Sequence, residues 1–185
     1  PADCHLLDRF LCSNSSRRSD AYGGSVESRA RLVLQVVDAA VATVGDSRKV
    51  GIRISPMGTF GDVNDANPLE TFSYLVAQLN SRNLAYLHVN RPDWLGGTFE
   101  GYDALLRALR DLYTGTLIIA GGQTAESGEQ AVAEGLADLV AYGRPYIANP
   151  DLLARFQAGA ELNPLDGSTL YGGGAAGYTD YPALG

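Results

Sequence analysis

Long apolar runs are missing from this 185-residue chain. No stretch reaches the roughly 18 to 20 uninterrupted apolar residues that a membrane-spanning helix requires. The first residues also lack a basic start followed by an apolar segment, so neither an anchor nor a secretory leader is expected, and the cytoplasm is the default compartment. Basic charge is scarce: 14 Lys and Arg stand against 21 Asp and Glu, giving a net charge of −7 and a pI near 4.7. A surface for nucleic acid or anionic membrane needs clustered Lys and Arg to neutralise phosphate, so neither partner class is expected, although a local basic pocket stays open. Cysteine is nearly absent. Cys4 and Cys12 match neither a metal-ligand repeat nor a disulfide framework and read as incidental thiols.

What is present is ordinary material for one core, 45% hydrophobic and 19% charged. Short β-rich runs over residues 50–54, 84–89, 116–120 and 137–142 alternate with helical patterns. Most of these runs are nearly continuously apolar, which predicts strands buried on both faces. The helix before the first strand carries an apolar stripe of Ala30, Val33, Leu34, Val37, Val41 and Val44, with Glu27 in its first turn and Gly45 at its end. Asn67-Pro68-Leu69-Glu70 opens the next with a cap, a first-turn proline and a glutamate able to reach back. Further helices are expected over 101–112, 124–135 with Thr124 as cap, and from about 149 to 159. Strand-then-helix order fits either a doubly wound sheet or a barrel. Polar and glycine residues gather after the strand C-termini, as at the catalytic face of a TIM barrel. The expected fold is α/β, four consecutive βα units derived from a TIM barrel, in one partial-barrel domain. Residues 1–25 form a leading loop, 26–160 the βα units and 161–185 an irregular tail.

Two glycine-bearing turns follow consecutive strands: Gly121 and Gly122 after the third, Gly143 and Arg144 after the fourth. Glycine lets the backbone approach an anion closely, N–H groups point at it and a guanidinium adds charge, so the pair reads as a phosphate site. Tight turns with a surface ion pair are the alternative. Arg53 interrupts the apolar strand Gly51-Ile52-Arg53-Ile54-Ser55, and alternation aims it away from Ile52 and Ile54. A charge there requires a ligand or an ion-pair partner. His88, also within a strand, reads as a core histidine.

Several motifs in order resemble the Old Yellow Enzyme family of FMN-dependent ene-reductases. They are Leu6-Leu7-Asp8-Arg9-Phe10-Leu11, Arg18-Ser19-Asp20-Ala21-Tyr22-Gly23-Gly24-Ser25 with Glu27-Ser28-Arg29-Ala30-Arg31, Gly51-Ile52-Arg53-Ile54-Ser55-Pro56, Gly143-Arg144-Pro145-Tyr146-Ile147-Ala148-Asn149-Pro150 and Gly177-Tyr178-Thr179-Asp180-Tyr181-Pro182. The resemblance implies a TIM barrel that binds FMN, takes hydride from NAD(P)H and delivers it to an α,β-unsaturated carbonyl. It implies Arg53 at the pyrimidine side of the flavin and Gly121, Gly122, Gly143 and Arg144 at its phosphate. It places Tyr171 in the ligand pocket, beside Leu170 where the family carries an aromatic residue. Asp3 falls on the family's second carbonyl-binding position, a His or Asn, and His5 on its proton-donating Tyr. A carboxylate at Asp3 would repel a developing enolate, whereas His5 can carry a proton. The resemblance covers only the C-terminal half of the barrel, so the chain is expected to be a truncated or split form. It would self-associate, for example as a symmetric dimer, or take its missing strands from a partner chain. The alternative is a non-catalytic FMN-binding or assembly half.

Overall fold

The computed structural model describes residues 5–91, 100–172 and 174–185. The chain divides into two compact units, Pro1–Val140 and Ala141–Gly185. In the first unit α1 (Leu6–Leu11) and α2 (Val26–Val44) precede three strand-helix pairs: β1 (Gly51–Ile54) with α3 (Pro68–Asn80), β2 (Tyr86–Asn90) with α4 (Tyr102–Leu112), and β3 (Leu117–Ala120) with α5 (Ala125–Ala133). The strand β4 (Leu139–Ala141) reaches the second unit, which continues with α6 (Arg144–Ala148), α7 (Leu152–Ala158) and an irregular tail.

Strand order settles the choice between sheet types. A doubly wound sheet reverses its order at a switch point and carries helices on both faces. Here the order is β1-β2-β3-β4 without reversal, and β1 pairs in parallel with β2, as β2 does with β3. Ile52, Ile54, Leu87, Val89, Leu117 and Ile119 share one buried cluster with Val33, Phe72, Leu75 and Leu109 from the helices. On the opposite face Arg53 is exposed, Tyr86 is 39% exposed, and His88 and Ile118 are half-buried. This is the arrangement of a (β/α)8 barrel over half its circumference, with helices outside and a second face turned inward. The expectation of strands buried on both faces therefore holds for the helix side alone. The inward face of a barrel is filled by side chains from strands across its axis.

The helix boundaries follow short-range chemistry. Asn67 caps α3 by accepting from the Glu70 N–H at 3.4 Å, while its amide donates to the Glu70 carboxylate at 3.0 Å, and Pro68 takes the first helical position. Thr124 and Ser127 cap α5 reciprocally, each hydroxyl accepting from the other's N–H at 3.1 and 2.9 Å. Gly45 ends α2, donating to the Val41 carbonyl at 2.8 Å. The α2 stripe is buried at Ala30, Val33 and Val37 but reaches solvent at Val44, which is 49% exposed. Two helices were not expected. Leu6–Leu11 forms α1 within the segment whose sequence predicts a leading loop, and α6 occupies the turn after β4. Both are short, six and five residues, below the length at which apolar periodicity becomes readable. Among the described residues no helix is long and apolar enough to cross a membrane.

Phe72 is fully buried in the core, whereas Val36 on α2 is 42% exposed. Phe72→Ala is expected to lower the urea-unfolding free energy by about 3–5 kcal/mol, and Val36→Ala to change it by less than about 0.5 kcal/mol, both measured by circular dichroism.

Candidate functional site

The register aligns Arg53 with His88 and His88 with Ile118, forming one row across the face that the helices leave open. One row toward the strand starts, Tyr86 lies beside Gly51. A Cβ at Gly51 would stand 2.3 Å from the Tyr86 ring, so the absent side chain lets the ring lie across β1. The expectation that Arg53 points away from Ile52 and Ile54 is met: both isoleucines are at most 6% exposed while Arg53 is exposed.

Gly121 and Gly122 follow β3 with φ of 98° and 62°. Two successive left-handed residues turn the backbone sharply, a conformation glycine alone adopts without strain. In the second unit Gly143 precedes α6, and among the described residues no atom beyond its chain neighbours lies within 4 Å of where its Cβ would stand. The neighbouring Arg144 is exposed, and its guanidinium makes no ion pair or hydrogen bond among the described residues. Leu170 is half-buried, and Tyr171 beside it is 96% exposed with a left-handed φ of 63°. Tyr171 donates its N–H to the Tyr178 hydroxyl at 3.3 Å.

His5 is exposed at the start of α1, where its carbonyl accepts from the Arg9 N–H at 3.1 Å. Asp3 lies outside the described residues. Behind α1 stands a buried polar centre that sequence reasoning missed. Arg29 donates to the Leu11 carbonyl at 2.8 Å, the Gly24 carbonyl at 2.6 Å and the Thr71 hydroxyl at 3.0 Å, with the Asp65 carboxylate 3.7 Å away. Asp65 in turn accepts from the N–H groups of Ser13 at 2.8 Å and Asn67 at 2.9 Å, and from the Thr71 hydroxyl at 3.0 Å. One guanidinium and one carboxylate thus tie the end of α1, the loop before α2 and the start of α3 together. The available signal was that Arg29 sits one turn before Val33, on the buried stripe. A cavity of about 340 Å³ opens beside this centre between the first turns of α2 and α3, lined by Ser25, Glu27, Asn67 and Glu70 among others. Cys12, 4% exposed, lies against Asp8, and burial together with that carboxylate pushes its thiol well above the ordinary range.

At the far side of the sheet, Asp138 accepts from the Leu117 N–H at 2.8 Å and from Arg110 at 2.9 Å. The Leu117 N–H and Arg110 hold its carboxyl below the usual range, against partial desolvation. A carboxylate depressed by folding contributes stability above its unfolded pKa of about 4, and that contribution is lost as pH falls through the lower folded value. Unfolding free energies between pH 7 and pH 3 are therefore expected to decline less steeply below about pH 4 in Asp138→Asn than in the parent chain. Removing a buried guanidinium strands its partner charge, so Arg29→Met is expected to cost about 3–5 kcal/mol by urea titration.

The fold agrees with what the chain is similar to. The model of the NADH:flavin oxidoreductase / NADH oxidase family matches residues 1–163. The 12-oxophytodienoate reductase 1 of Oryza sativa subsp. japonica is 44% identical over 185 residues, covering 97% of this chain and 48% of the relative. A Leishmania infantum protein described as "Probable flavin mononucleotide-dependent alkene reductase" is 42% identical over 183 residues, covering 99% and 49%. Among solved structures, morphinone reductase superposes with a TM-score of 0.91 at 44% identity, covering 99% of this chain and 49% of its own; it has also been solved in complex with tetrahydroNAD. The chain spans about half the length of each of these proteins. On the family match over most of its length, this chain belongs to the NADH:flavin oxidoreductase / NADH oxidase family, the Old Yellow Enzyme family that its motifs resemble.

Proposed function

We propose that the chain supplies the phosphate side and the pyrimidine side of an FMN site in an ene-reductase that uses NAD(P)H to reduce an α,β-unsaturated carbonyl. The observation that carries this reading is Arg53, a guanidinium exposed on the helix-free face of the sheet beside His88. Bound FMN supplies hydride transfer between the nicotinamide and the β-carbon of the enone. Arg53 offers positive charge to an electron-rich ring edge. Gly121 and Gly122 let the backbone approach the phosphate, and Gly143 leaves space beside the guanidinium of Arg144, which has no partner among the described residues. Each turn taken by itself suits a phosphate monoester, through backbone N–H groups at Gly121 and Gly122 and through a fork of guanidinium donors at Arg144.

Tyr171, nearly fully exposed, presents its ring to the substrate, and Leu170 replaces an aromatic wall with a smaller aliphatic one. His5 is the proton donor candidate, at the imidazole. Asp3 has no place as an oxyanion donor, because a carboxylate repels the charge that develops there. The uncovered sheet face supports a second requirement, that further strands complete the site. These come from the rest of a longer chain, from a partner chain or from a second copy. Should the chain act only as an FMN-binding half, it would bind the cofactor without oxidising NAD(P)H. Sparse cysteine supports a cytoplasmic setting.

Titration of the purified chain with FMN and with riboflavin, followed by flavin absorbance and gel filtration, tests the phosphate assignment. Loss of a charge-assisted hydrogen bond is worth about 1.5–3 kcal/mol, so Arg144→Ala is expected to weaken FMN binding about 10- to 100-fold and to leave riboflavin binding unchanged. Equal weakening of both ligands rules out a phosphate role for Arg144.

A further inference from the structure

In the second unit one buried guanidinium closes the tail into a loop. Arg155 is 5% exposed and donates to the Asp151 carboxylate at 2.9 Å, to the Glu161 carbonyl at 2.6 Å and to the Pro182 carbonyl at 2.9 Å. Glu161 and Pro182 stand at the two ends of the tail, so a single side chain holds both. The second Asp151 oxygen accepts from the Leu184 N–H at 2.6 Å. Asn163 reinforces the closure, donating through its amide to the carbonyls of Ala148 and Pro182, both at 2.8 Å, and through its N–H to Asn149 at 2.7 Å. Above this base the Asp166 N–H donates to the Tyr181 hydroxyl at 2.9 Å, and the Gly177 N–H to Asp180 at 2.7 Å. Gly177 has no side-chain option: its φ is 75°, and a Cβ there would stand 2.0 Å from the Thr169 hydroxyl. Tyr171 projects from this loop, 96% exposed.

The geometry points to Arg155 as a positioning residue that fixes where the tail loop presents Tyr171 to the substrate. The inference rests on the proposed reading of Tyr171 as substrate-facing. An exposed aromatic side chain contributes to recognition only if its loop is held in place beforehand, because ordering it on binding costs affinity. The guanidinium spreads its donors over three nitrogens and so reaches a carboxylate and two carbonyls at once, whereas lysine keeps the charge on a single nitrogen and loses the clamp.

Amide hydrogen exchange of the full chain, compared among the parent, Arg155→Lys and Leu184→Pro, tests the clamp. Leu184→Pro removes the N–H that engages Asp151 and leaves Arg155 paired, so it serves as the comparison in which the clamp persists. In Arg155→Lys the Asn163 and Asp166 amides are expected to exchange at least about tenfold faster, while in Leu184→Pro they stay within about threefold of the parent and the Leu87 amide in the sheet is unchanged in both. Unchanged exchange at Asn163 and Asp166 in Arg155→Lys overturns the clamp, and so does equal acceleration at Leu87, which marks general unfolding. In chain that takes up FMN and turns over, KM for a cyclic enone is expected to rise about tenfold in Arg155→Lys, with kcat within about twofold. A fall in kcat at constant KM overturns the positioning role. Chain that binds no flavin at all refutes the proposed function and leaves the exchange rates to decide whether the clamp exists.

Discussion

Alternation along a strand is the constraint on which the rest of this structure depends. Because successive side chains point to opposite faces, burying Ile52, Ile54, Leu87, Val89, Leu117 and Ile119 under the helices commits Arg53, His88 and Ile118 to the other face. The apolar set provides the cohesion: each such side chain contributes about 1.5–3 kcal/mol on leaving water. The polar set is thereby presented together, in register, on the side where a barrel holds its interior. A one-residue slip of β1 against β2 would bury the guanidinium and expose the isoleucines, so packing energy on one face guards the chemistry on the other.

A second device recurs in both units. Arg29 in the first and Arg155 in the second are buried guanidinium groups that each bind backbone carbonyls from separate segments and stand near one carboxylate, Asp65 and Asp151 respectively. Neither is primarily an ion pair. Their value lies in satisfying carbonyls of irregular backbone that no sheet or helix can serve, a requirement that long loops impose wherever they are packed. The two centres hold the segments with no regular structure of their own: the loop between α1 and α2, and the tail.

This explains which features were legible in the sequence. The caps at Asn67 and Thr124 depend on residues three positions apart, and the direction of Arg53 depends on its immediate neighbours. The choice between barrel and doubly wound sheet was legible only indirectly, through the polar and glycine residues gathered after the strands and through the motifs, because the strand order that settles it is encoded in no local pattern. Arg29 and Arg155 escaped for a related reason. Their partners lie as far as 42 and 27 residues away, and most are carbonyls that every residue possesses. The motif containing Arg29 was recognisable as family resemblance, yet nothing in its spacing revealed a clamp, and Arg155 lies in none of the motifs. For the site, the glycines of the two turns were readable from their placement after strands, whereas the roles implied for His5 and Tyr171 came from resemblance alone.

Charge on the inward face also constrains what completes it. Within a barrel, the row that holds Arg53 and His88 is enclosed by strands across the axis, and an enclosed guanidinium is tolerated only with an anionic or strongly hydrogen-bonding partner. Arg53 and His88 both engage partners within the chain, so whatever completes the face must keep those contacts or replace them with accepting groups of its own; an apolar filling that broke them would strand a buried charge. The polar row thus makes this face unsuitable for nonspecific apolar burial, just as the isoleucines and leucines of the other face make that one unsuitable for water.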